Sequence, residues 1–141
     1  MATIVHDDVL NGMLGNPTHS VIDCNTDNMD ASLLDQTDSG TITSSFVDYD
    51  EVDAATVVAT AGVPSGTITG GVWDIGAAIT FSAVTGDAAD YLTIWKNSGT
   101  PATSPLFITW DSASTGLPVT PNGGDITATF TGNDVVTLAQ A

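Results

Sequence analysis

The residues best suited to chemistry gather in a few short stretches. Asp48-Tyr49-Asp50-Glu51-Val52-Asp53 places carboxylates at positions 1, 3 and 6 of a loop, and a hard cation such as Ca2+ favours clustered oxygens of this kind. Asp48, Asp50, Glu51 and Asp53 are therefore the candidate metal ligands. The pattern departs from a calcium loop at its sixth position, where Asp53 replaces glycine, and no bidentate Glu follows at the twelfth. A solvated acidic loop is the plainer reading, so no metal and no cofactor are expected. His6, His19 and Cys24 are the only side chains whose ordinary titration lies near neutrality. His19 and Cys24 are five residues apart, a spacing that could form a thiol–imidazole pair, but no nucleophile motif surrounds them. The chain has no G-x-S-x-G, H-E-x-x-H or C-x-x-C. No catalytic residue is assigned, and the chain is read as a non-enzyme.

The remaining acids read as turn builders. Asp87 and Asp90, and Asp23, Asp27 and Asp30, lie among turn residues, where an aspartate carboxylate accepts backbone N–H bonds. Sixteen of the 17 acids are Asp, and they face a single cation, Lys96, with no arginine. The formal charge of −16 excludes binding to phosphate backbones, which requires Lys and Arg to displace counterions. It argues equally against anionic membrane surfaces. Phosphate or carboxylate substrates would find almost nothing to hold them. Hydrophobic residues make up 42% of the chain, enough to fold in spite of the charge. No run approaches the roughly 20 apolar residues of a membrane span. Residues 1–8 carry no basic region ahead of an apolar block, so no secretory signal is expected there. With one cysteine, no intrachain disulfide can form.

The elements that would position these groups are mostly strands. Val9, Leu10, Met13 and Leu14 fall at helical spacing after Asp7 and Asp8, with Gly15 and Pro17 ending the run. This predicts an amphipathic helix of about two turns within an N-terminal arm, residues 1–20, and makes those four apolar side chains candidate contact residues. Residues 28–34 predict a strand, residues 35–40 a turn, and residues 41–53 a loop anchored by Phe46, Tyr49 and Val52. From residue 54 the pattern is β throughout, with strands at 56–60, 67–73, 78–83, 91–95, 106–110, 125–131 and 135–139. Tyr91, Thr93 and Trp95 alternate with Leu92 and Ile94, Leu106, Ile108 and Trp110 with Phe107 and Thr109, and Ile126, Ala128 and Phe130 with threonines. About eight short strands with turns every 8–12 residues predict an all-β, antiparallel, jelly-roll-like β-sandwich. Residues 21–141 would form this single domain. Trp73, Trp95 and Trp110 fall on three different strands and are expected to anchor its core, the alternative being an exposed sugar- or protein-binding patch.

Several stretches also resemble small virion proteins of tailed bacteriophages. They are Gly71-Val72-Trp73-Asp74, Ile79-Thr80-Phe81-Ser82-Ala83-Val84-Thr85-Gly86, and Leu92-Thr93-Ile94-Trp95-Lys96-Asn97-Ser98-Gly99-Thr100 with Thr103-Ser104-Pro105-Leu106. Thr115-Gly116-Leu117-Pro118-Val119-Thr120-Pro121-Asn122-Gly123-Gly124-Asp125-Ile126-Thr127 extends the likeness. The similarity covers residues 28–139, is most specific over 91–127, and rests on turn and strand chemistry. The chain departs from that family in its single lysine and extreme acidity. The resemblance implies a capsid decoration (cement) protein on the phage head surface. Such a subunit is made in the host cytoplasm, binds the major capsid protein, self-associates as a homo-oligomer, and touches neither nucleic acid nor membrane. A tail, collar or fibre-associated component is the alternative, followed by a carbohydrate- or calcium-binding module. Because the acids fall at turns, the contacts are expected on uncharged strand faces and the N-terminal arm, with the acidic loops facing solvent.

Overall fold

The computed structural model describes residues 3–13, 21–39, 42–52, 54–69, 72–111, 116–131 and 135–140. Ten strands, all antiparallel to their neighbours, dominate these residues. In chain order they are β1 (Thr3–Val5), β2 (Met29–Leu34), β3 (Val57–Gly62), β4 (Thr67–Thr69), β5 (Val72–Asp74), β6 (Ile79–Phe81), β7 (Tyr91–Lys96), β8 (Leu106–Trp110), β9 (Ile126–Thr131) and β10 (Val135–Gln140). The main sheet has the order β1-β8-β7-β2-β3, the second β10-β9-β6, and β4 pairs with β5 as a hairpin. Helix α1 (Asp7–Met13) follows β1, and α2 (Gln36–Ser39) is a single helical turn. The all-β sandwich expected from the alternation is the fold observed.

The inter-sheet core explains why the two sheets face each other. Met29, Ala31 and Leu33 of β2, Leu92 and Ile94 of β7, and Trp110 of β8 pack with Ile79 and Phe81 of β6 and Ile126 and Ala128 of β9. These are alternate residues on their strands, as a period of two demands. Where the second sheet ends, Val84, Ala89, Leu117 and Val119 complete the core, and Ala89 and Val119 exchange N–H···O bonds of 2.9 Å.

The opposite face of the main sheet is buried as well. Leu34, Tyr91, Trp95 and Leu106 form a second apolar cluster with Ile42 and Val52 from the 42–52 connection. Phe46 and Tyr49 of that connection pack against it, so the loop is anchored by the three residues the spacing singles out. Tyr49 stacks on Trp95 with ring centroids 3.9 Å apart and planes 11° apart. With a cover on both sides, β7 is buried from Tyr91 to Trp95, which explains its near-continuous apolar sequence.

Four details differ from the sequence reading. Thr3–Val5 is a strand of the main sheet, with Thr3, Ile4 and Val5 opposite Trp110, Thr109 and Ile108. The stretch expected as one strand over 67–73 holds two, β4 and β5, paired as a hairpin with Thr69 opposite Val72. Strict alternation also fails in β8. Leu106 opposes Trp95 and Ile108 opposes Ile94, so Phe107 is the extra residue of a bulge. Leu106 accordingly faces the second cluster, while Phe107, Ile108 and Trp110 face the first. Finally, Trp73 is only half-buried, with its ring edge-on to Phe107 at 5.9 Å.

Candidate functional site

The 48–53 loop is a hydrogen-bonded turn. Tyr49–Glu51 forms a 3-10 turn capped from both sides. The Glu51 carboxylate accepts the N–H groups of Val47 and Asp48, the latter at 3.1 Å, and the Glu51 N–H donates to the Asp48 carbonyl at 3.1 Å. This reciprocal capping consumes the carboxylate that a cation would need. Asp48 is buried, Asp50 is exposed, and Asp53 lies outside the described residues. Among the described residues no group of three or more His, Cys, Asp and Glu side chains is arranged to hold a metal.

Two of the three neutral-pH groups, His6 and Cys24, lie among the described residues. Cys24 is half-buried, and burial, reinforced by Asp23 and Asp27, pushes its thiol up to about 11. At neutral pH it is therefore protonated and a poor nucleophile. His19 lies outside the described residues. Cys24 borders a cleft of about 280 Å³ lined by Thr26, Asp27, Met29, Pro64, Ser65 and Trp73 among others. Beside it Lys96 pairs with Asp27 at 3.0 Å and donates to the Val21 carbonyl at 3.4 Å. The chain's one basic side chain thus closes a local turn.

His6 is fully buried, a placement its sequence neighbourhood gives no hint of. Its Nδ1 lies 2.9 Å from the Phe46 carbonyl and its Nε2 lies 3.0 Å from Thr109 Oγ1, which is itself 2.8 Å from Thr93 Oγ1. A carbonyl only accepts, so Nδ1 carries the hydrogen and Nε2 of the neutral ring accepts from Thr109. Burial, the largest influence, holds the imidazole below its ordinary value, against the Phe46 bond, Asp7 and Glu51, which favour the charged form.

A second buried polar knot centres on Ser32. Its hydroxyl receives Trp95 Nε1–H at 3.1 Å and lies 2.8 Å from Tyr49 Oη and 3.0 Å from Thr60 Oγ1. Both knots sit on the face of the main sheet covered by the 42–52 connection, and both hold the cover in place.

Among the described residues, exposed large apolar side chains are few. On α1, Val9 is half-buried and Leu10 is 44% exposed; Leu14 and the Met13 side chain lie outside the described residues, so the predicted four-residue contact stripe is seen only in part. Ile68 of the β4–β5 hairpin is 49% exposed. On the outer face of the second sheet, Thr80 is exposed, and Thr127 and Thr129 are half-exposed. Of the acids in the described residues, only Asp30 lies within a strand and Asp74 at a strand's end. The acidic loops do not all face solvent, however, because Asp35 and Asp48 are buried. Asp35 accepts the N–H and hydroxyl of Thr37, while Asp90 accepts the N–H of Gln36 at 3.2 Å.

Comparison with known proteins returns no matching family model, no matching curated protein and no matching solved structure.

Proposed function

We propose that this chain is a non-enzymatic structural component of a phage virion, a decoration (cement) protein that binds the major capsid protein on the assembled head. The observation that carries the reading is the separation of charge from strand faces. Among the described residues only Asp30 and Asp74 of the acids belong to strands, while the second sheet offers a threonine-rich outer face through Thr80, Thr127 and Thr129. A subunit of this kind can lay an uncharged face on a shell while its charge keeps unbound copies apart. Binding only the assembled state would stabilise the shell by mass action. The engagement of His6, Cys24 and Lys96 in structural contacts supports a role without bond-making chemistry. The stretch with the most specific family likeness, 91–127, supplies β7, β8 and the turn between them. That turn is tied by Gly99 N–H to Asn97 Oδ1 at 2.8 Å, Ser98 N–H to Ser104 Oγ at 3.1 Å, and Ser104 Oγ–H to the Thr100 carbonyl at 2.8 Å.

The test is reconstitution of purified protein with shells of the virus that encodes it. Saturable binding to expanded heads, with a raised temperature of shell disruption, is the expected result. Binding to tails alone would move the protein to the tail or collar, and binding to neither would refute the proposal.

A further inference from the structure

We propose that His6 is a proton-sensitive latch: the neutral ring fastens β1 and α1 to the body, and its protonation releases that segment while the rest of the sandwich stays folded. The latch joins three separate parts of the chain. The ring belongs to the residue between β1 and α1, Nδ1–H donates to the Phe46 carbonyl of the covering connection, and Nε2 meets Thr109 of β8. The backbone reinforces the same junction, with His6 N–H to the Phe107 carbonyl at 3.4 Å and Asp7 N–H to the Ser44 carbonyl at 2.8 Å. Valine and leucine amides of α1 close on the His6 carbonyl, Val9 at 3.1 Å and Leu10 at 3.3 Å. The segment otherwise has a weak hold, since β1 is a three-residue edge strand paired only with β8.

Hydrogen bonding alone does not forbid the charged ring. With Nε2–H donating to Thr109, the Thr109 hydroxyl could turn to Thr93, and Thr93 to the Ile108 carbonyl at 3.3 Å. What opposes protonation is burial of the charge, because the ring is fully enclosed. The charged groups acting on it are Asp7, the first residue of α1, and Glu51 from the covering connection, and both favour the cation; the sheet beneath meets the ring through Thr109, itself bonded to Thr93. Burial outweighs them, so the folded ring binds a proton less readily than a released one. The released state then takes up more protons as pH falls through the ordinary value of 6.5, and the latch weakens from there downward. This window opens above the carboxylate range, so weakening of the latch begins before the carboxylates titrate.

The test is amide hydrogen exchange of the full chain, corrected for intrinsic rates, at about pH 7.5 and about pH 5. Protection of residues 3–13 should fall at least several-fold more than that of β2 and β7, and His6→Asn, which can still donate to Phe46, should abolish the difference between the two pH values. Unchanged protection of residues 3–13, equal loss across the sandwich, or the same pH response in His6→Asn would overturn the proposal. Should His6→Asn fail to fold, the imidazole of His6 can be titrated by NMR in a His19→Gln background. A midpoint below 6.5 is expected, and one at or above it refutes the latch.

Discussion

Ser32 shows how much a single hydroxyl can hold in this molecule. It has no exposure to solvent and gathers Trp95, Tyr49 and Thr60 from three elements. Ser32→Ala would leave the buried Trp95 N–H without its acceptor, a loss of about 1–3 kcal/mol. Urea unfolding should show a lower midpoint with an unchanged slope; an unaltered midpoint would mean that the knot contributes nothing to stability. Asp35 gives a second residue-scale expectation. The Thr37 hydroxyl, and then the Thr37 N–H, hold its carboxyl below the ordinary 3.8. Its stabilisation is therefore present above that value and lost as pH falls through 3.8 towards the lower folded value. Melting of Asp35→Asn should accordingly depend less steeply on pH in that acid range than melting of the parent. Neither residue stands out in the sequence. Ser32 meets Trp95 across 63 positions and His6 meets Thr109 across 103, so no local spacing could announce either contact. The Asp48–Asp53 loop shows the reverse, for its residue types suggest a cation while Glu51 is drawn into capping its own turn. Added Ca2+ at millimolar level should leave the melting temperature unchanged, and a rise would restore the metal reading.

At the scale of elements, strands whose inward residues alternate were legible, and those that depart from alternation were not. Ile126, Ala128 and Phe130 of β9 lie on the core side as their spacing requires, and β7 runs where the pattern of residues 91–95 puts it. The bulge at Phe107 is invisible in sequence because it is defined by the partner strand's register. Strand β1 was missed because three residues carry too little period, and its place is fixed by β8 and by His6. The β4–β5 hairpin depends on close approach at Gly66, where a Cβ would collide with the Asp74 carbonyl and lie 2.8 Å from Trp73 Nε1. Gly66→Ala should therefore cost about 1–3 kcal/mol through overpacking. A changed Trp73 environment in the near-ultraviolet CD spectrum would locate the damage in the hairpin, and a spectrum and stability like the parent's would contradict the crowding.

For the whole molecule, charge sets the expectation that composition alone could provide. Seventeen acids and one lysine leave a net self-repulsion that destabilises the compact state, and that lysine, Lys96, pairs with Asp27. Raising NaCl to about 1 M, where the screening length is about 3 Å, should raise the melting temperature; a fall would mean that attractive pairs outweigh the repulsion. The sequence also indicated that acids belong to turns and strand ends; among the described residues Asp30 lies inside β2 and Asp7 and Asp8 in α1, and the buried positions of Asp35 and Asp48 were unforeseen because burial depends on tertiary packing. The outer face of the second sheet presents Thr80, Thr127 and Thr129, and its proposed use on a phage head is the central claim. The most direct measurement is the copy number and position of this chain in purified particles of the phage proposed to carry it, by quantitative mass spectrometry and cryo-electron microscopy. A copy number matching the head lattice, with density on the outer shell, is the predicted result, and absence of the chain from the particle would contradict the account.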